Sequence, residues 1–141
     1  MDSQQVAVRS DLAELERLCS IGTACGRQAG LSDDDMLALE LSLEEAVANI
    51  MMHGHVPQDG EHILVTFSPQ VQTLVVKIED DGPPFDPTTL PAHEAPASID
   101  DASIGGLGIK LIRKLSAGMD YQRVGERNQL TLVFGAPPLA A

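Results

Sequence analysis

The sequence predicts an α/β (α+β) chain, and three observations carry that expectation. Two pairs of β-type runs each close on a turn, helical periodicity with capping residues fills the stretch between them, and a glycine cluster reopens a helix after a long proline-bearing break. The chain has 141 residues, 43% hydrophobic and 21% charged, which suits one domain, 1–141, with its own core. Aromatic residues make up only 3%, so that core is expected to be aliphatic.

Gln4 to Arg9 alternates around Val6 and Val8 and reads as a short edge strand. Ser10, followed by Asp11 and Glu14, is the expected N-cap of a helix reaching about Ala29, where Gly30 closes it. Ser32 opens the next helix, and Asp33, Asp34 and Asp35 set negative charge at the positive end of its dipole. Along it Met36, Leu39, Leu43, Val47 and Ile50 form an apolar stripe suited to a sheet. Leu41, Ala48 and Met52 lie nearly opposite, beside Glu45 and Asn49, as the expected floor of a cavity with Glu40 and Glu44 at its margin. Gly54 and Pro57 end the helix.

His62 to Phe67 and Leu74 to Glu79 read as a hairpin turning at Ser68-Pro69-Gln70. From Gly82 to Gly108 the chain has Pro83, Pro84, Pro87, Pro91 and Pro96 and no periodicity, which predicts a lid or binding loop over about 83–105. Gly106 to Ala117 returns to helix with Leu107, Leu111 and Leu115 stacked at four-residue spacing. Met119 to Val124 and Gln129 to Phe134 form a second hairpin around Gly125 to Asn128, and 135–141 should fray.

Nine basic against 21 acidic side chains give a net charge of −12, which opposes nucleic-acid phosphates and anionic membrane surfaces. Direct nucleic-acid binding and membrane attachment are therefore not expected. No apolar run approaches the ~20 residues that span a bilayer, and Met1-Asp2-Ser3 lacks the basic start of a signal peptide. Cys19 and Cys25, about 240° apart around a helix, read as two buried thiols, and a cytoplasmic location fits. Any phosphate bound by so acidic a chain needs a cation beside it or a helix N-terminus beneath it.

Three segments can carry chemistry. In Glu45-Ala46-Val47-Ala48-Asn49 the carboxylate and amide share one helix face amid apolar residues, where a lone charge is costly unless paired, metal-linked or used for proton chemistry. In Glu79-Asp80-Asp81-Gly82-Pro83-Pro84-Phe85-Asp86 carboxylates stand where a strand enters a loop; an Asp there can accept from a purine's exocyclic amine, and Gly82 permits close approach of a flat ring, although the same residues also make ordinary turns. Ile104-Gly105-Gly106-Leu107-Gly108-Ile109 opens a helix whose free N–H groups form a phosphate cradle, with Lys110 and Arg113 just behind. His53 and His55, with Asp59 and His62 nearby, lack the spaced ligand pairs of zinc sites and read as surface histidines.

In order and spacing these segments resemble the nucleotide-binding boxes of the GHKL ATPase superfamily, most closely the anti-sigma factor serine kinases of bacterial partner-switching systems. The resemblance runs from about Asp33 to Phe134. It implies a two-layer sandwich, a mixed, mostly antiparallel sheet covered on one face by about three helices, the Bergerat-type ATP-binding fold. It implies ATP and Mg²⁺ as cofactors. Glu45 would be the general base, Asn49 the Mg²⁺ ligand, Asp80 the adenine-reading carboxylate with Gly82 beside the ring, and Gly106, Leu107 and Gly108 the phosphate cradle, with His53 and Lys110 as further phosphate contacts. The implied partners are an anti-sigma factor antagonist, a small STAS-type protein phosphorylated on Ser or Thr, and a sigma factor or similar regulator held in the alternative state. A homodimer through the first strand and helix is also implied. The chain departs from the pattern at Pro84, where many members have glycine, and in having no Lys or Arg from Gly82 to Gly105. The alternative that this departure raises is a non-catalytic nucleotide-gated binding switch.

Overall fold

A computed structural model describes residues 2–89 and 106–136; most of the expected lid and the end of the expected frayed tail lie outside these residues. The elements run β1 (Gln4–Val8), α1 (Glu14–Ala29), α2 (Asp33–His53), β2 (Ile63–Gln70), β3 (Thr73–Asp80), a 3₁₀ turn (Pro87–Thr89), α3 (Gly106–Leu115), β4 (Gly118–Val124) and β5 (Arg127–Gly135). The strands form one five-stranded sheet in the order β1-β2-β3-β5-β4.

Alternation builds the sheet's two faces. Val65, Phe67, Leu74, Val76, Ile78, Leu130, Leu132 and Phe134 are buried, while their neighbours Thr66, Val75, Lys77 and Thr131 are only partly covered. The buried set meets in register as Leu74 opposite Phe134, Val76 opposite Leu132 and Ile78 opposite Leu130. Against it lie Leu18 of α1, Leu39, Leu43, Val47 and Ile50 of α2, and Ile109 and Ile112 of α3, all essentially out of water. The stripe expected on α2 is thus the core face, except that Met36 at its start is only partly buried.

Every strand pairing among the described residues is antiparallel, so the sheet is not mixed. The crossover from β3 through α3 does bring β4 back parallel to β3. The two never touch, because β5 hairpins back and inserts between them.

Several expected boundaries move. Ser10 does not cap α1: the N-cap is Ala13, and the freed N–H groups of Arg9 and Ala13 go to the Glu14 and Asp11 carboxylates. Gly30, at φ 83°, and Ser32, whose Oγ accepts from Asp35 N at 3.1 Å, do the work expected of them. Ser68 to Gln70 is not the turn; β2 runs through it and the chain reverses at Val71 and Gln72. Pro69 is tolerated there because β1 reaches only as far as Phe67, leaving β2 an edge beyond it. The second turn tightens to Gly125 and Glu126, which puts Arg127 and Asn128 in β5. Helix α3 stops at Leu115, and Ala117 already donates to Val133 at 2.7 Å. Leu41 and Met52 are solvent-exposed rather than the floor of a cavity.

Candidate functional site

Glu45, Asn49 and His53 stand at four-residue steps on α2, so one helix face carries all three. Asn49 is 4% exposed, and its Nδ2 is buried with no hydrogen-bond partner among the described residues; Nε2 of His53 is in the same state. Leaving such a group unpaired costs about 1–3 kcal/mol, so these atoms mark a place where a polar ligand would be held. Glu45 is half-buried, and its carboxyl is pushed above the usual range by burial and then by the neighbouring charge of Glu44. A carboxylate so tuned suits proton transfer.

Helix α3 packs on α2 and brings the glycine cluster to this face. A Cβ at Gly108 would overlap Oε2 of Glu45 and stand 3.3 Å from its Cδ, so only glycine permits this approach. Gly106 and Leu107 precede Gly108 in the first turn of α3, where backbone N–H groups have no intrahelical acceptor. Lys110 is exposed on the same helix.

Asp80 ends β3 on the core side of the sheet and is 1% exposed. Its Oδ1 accepts from Gly82 N at 3.0 Å and from Asn128 Nδ2 at 2.9 Å. Burial nevertheless raises its carboxyl above the ordinary range, against the pull of those two bonds. Gly82 sits tightly against the end of α2: a Cβ there would lie 2.7 Å from the Gly54 carbonyl oxygen. Next door His62 Nδ1 pairs with Asp81 at 2.9 Å, and that bond raises the imidazole's affinity for its proton.

Asn128 is the site residue that sequence reasoning missed. Treated as part of a turn, it is instead the strand residue directly opposite Asp80. The signal was parity: Asn128 continues the every-second-residue series of Leu130, Leu132 and Phe134 on the buried face. Arg123 also joins the site's edge, donating to the Gly82 carbonyl at 2.8 Å. Between sheet and α2 lies a small slot of about 10 Å³ lined by Ile50, Ile78, Phe85 and Leu130 together with Asp80 and Asn128. Flat apolar walls ending in a carboxylate suit a planar base with an exocyclic amine.

The expected residues therefore divide into two groups on one side of the molecule. Glu45 meets Gly108 at the start of α3, with Asn49 and His53 on the same face of α2, and Asp80 and Gly82 lie at the end of β3, joined to α2 through Gly54 and Ile50.

Comparisons with known proteins identify the family and the fold. The family described as histidine kinase-like ATPase domain matches residues 8–134. The serine/threonine-protein kinase BtrW of Bordetella bronchiseptica is 33% identical over 100 residues, 71% of this chain and 70% of that protein. The serine-protein kinase RsbW of Listeria monocytogenes is 30% identical over 115 residues, 79% of this chain and 72% of that protein. A crystal structure of RsbU and RsbW domains from Mycobacterium tuberculosis superposes with a TM-score of 0.68 at 11% identity, covering 97% of this chain and 34% of that one, which speaks for the fold alone. No helix among the described residues is long and apolar enough to cross a membrane. Because that family match spans residues 8–134, most of its length, the chain belongs to the histidine kinase-like ATPase domain family.

Proposed function

We propose that this chain is a cytoplasmic Mg²⁺/ATP-dependent serine/threonine protein kinase that phosphorylates an anti-sigma factor antagonist and, in its other state, holds a sigma factor or similar regulator. The observation that carries the proposal is the contact between Glu45 and Gly108, which sets a proton acceptor against a helix N-terminus able to hold phosphate.

The residues fit the ligand. Asn49 Nδ2 and His53 Nε2 are buried without partners among the described residues, and an oxygen-rich ligand would satisfy them. The Asn49 side-chain oxygen would hold Mg²⁺, and the amides of Gly106, Leu107 and Gly108 would hold phosphate oxygens. When bound, Mg-ATP supplies the phosphoryl group and the cation that offsets its charge. Glu45 takes the proton from the substrate hydroxyl, a task its burial favours by raising its basicity. Asp80 would accept from the base's exocyclic amine with Gly82 beside the ring, and Lys110 would be a further phosphate contact. Ile50, Ile78 and Leu130, which line the slot beside Asp80, would shield the base from water.

The test is transfer of labelled γ-phosphate from ATP to the antagonist that co-purifies with this chain. Glu45→Ala should lower transfer by about 10²–10⁴-fold while nucleotide binding largely survives. Unchanged transfer in that variant removes the assignment. A wild-type chain that binds ATP and leaves the partner unlabelled is instead the nucleotide-gated switch, the reading favoured by the absence of Lys and Arg from Gly82 to Gly105.

A further inference from the structure

Asn128 uses its whole hydrogen-bonding capacity inside the molecule. Its Nδ2 donates to Asp80 Oδ1 at 2.9 Å and to the Pro83 carbonyl at 2.9 Å. Its Oδ1 accepts from Phe85 N at 3.1 Å and from the Tyr121 hydroxyl. An amide has two N–H groups and two lone pairs, so nothing is left over, as burial to 3% exposure demands. These four bonds tie together the end of β3, the arm from Pro83 to Phe85 and strand β4.

Two consequences follow from where the bonds go. Asp80 has both its hydrogen bonds on Oδ1, which leaves Oδ2 as the oxygen able to accept from a ligand. Phe85, tethered through its N–H, walls the slot that Asp80 lines, and the slot of about 10 Å³ has room for about one water. A slot this small takes a base only if its lining, Phe85 included, shifts.

We propose that Asn128 is a positioning residue for base selection: it aims the free oxygen of Asp80 and holds the Phe85 arm against the slot, so that adenine is chosen over bases lacking the exocyclic amine. This rests on the nucleotide-binding reading given above. Turning Asp80 without Asn128 costs little, because the Gly82 N–H alone does not fix the carboxylate plane. Loss of the amide therefore removes selectivity before it removes affinity for the phosphates, which sit at α3.

The experiment measures dissociation constants of the full chain for ATP and for ITP, whose base has a carbonyl in place of the amine, with thermal melting alongside. Wild type is expected to prefer ATP. Asn128→Ala should cut that ATP/ITP preference by at least about tenfold, mainly by weakening ATP, with ITP affinity changed less than about threefold. Asn128→Asp, the same shape with no N–H to donate toward Asp80, should do the same if the alanine variant proves unstable. Tyr121→Phe, which removes only a donor to Oδ1, should keep the preference within about twofold. Equal loss of ATP and ITP in both Asn128 variants, or a preference left intact in either, overturns the positioning role. A wild-type chain that binds neither nucleotide, or binds both alike, overturns the underlying reading instead.

Discussion

Gly108→Ala separates fold from function at one atom. Two terms oppose each other in stability. Alanine favours helical backbone over glycine by roughly 0.5–1 kcal/mol. Its Cβ overlaps Oε2 of Glu45, but that oxygen is the far end of a flexible side chain, and swinging it to a poorer rotamer costs roughly 0.5–1.5 kcal/mol. The terms nearly cancel, so the melting temperature should stay within about 4 °C of wild type. Activity has no such compensation: the displaced carboxylate leaves the helix start where it would act, and phosphoryl transfer should fall by about 10²–10⁴-fold. Melting and transfer assays on Gly108→Ala, Glu45→Ala and the double variant complete the cycle. With the carboxylate gone, adding alanine at 108 should raise the melting temperature, since only the favourable term survives. The reasoning fails if Gly108→Ala transfers phosphate at the wild-type rate, or if alanine destabilises the Glu45→Ala background.

Three further outcomes are expected. Asp80 is held above its ordinary carboxyl value of 3.8 by burial, so its contribution to stability is fully present below that value and is lost as pH rises through the folded value. Asp80→Asn should therefore melt higher than wild type at pH 7, with the gap closing toward pH 4; a gap that widens in acid contradicts this. Gly30→Ala should cost about 1–2 kcal/mol by denaturant titration, since Gly30 is at φ 83° with no atom near enough to clash and the penalty is purely conformational. Cys19 and Cys25 are buried and free, and burial pushes the Cys19 thiol up to about 12, so neither should react with a thiol reagent at pH 8 until denaturant is added.

What could be read from the sequence was whatever rests on local spacing. The α2 stripe, the Ser32 cap, the Gly30 stop and the shared face of Glu45 and Asn49 follow from helical periodicity, and the structure keeps them. Turn placement was less legible, because Ser68-Pro69-Gln70 has turn chemistry yet lies where β2 has outrun its neighbour. The meeting of Glu45 with Gly108 and of Asp80 with Asn128 depends on packing between segments far apart in the chain, and spacing alone does not encode it. Asn128 was hidden for a specific reason: Asn is a turn former by propensity, and only the parity of the strand behind it reveals the buried face.

Because β5 inserts between β3 and β4, the middle of the sheet joins only after the chain has travelled through the 81–105 connection, α3 and β4. Such a distant pairing makes for unhurried folding. It also frees that connection from tight thermodynamic control. Loop-closure entropy rises only with the logarithm of length, and doubling a loop adds about 0.6 kcal/mol. Apart from the stretch from Gly82 to Thr88, which Asn128, Arg123 and Arg113 tie down, the span between Asp80 and Gly106 can thus be lengthened, shortened or recomposed at little expense to the framework, which makes it the natural place for descendants of this chain to diversify.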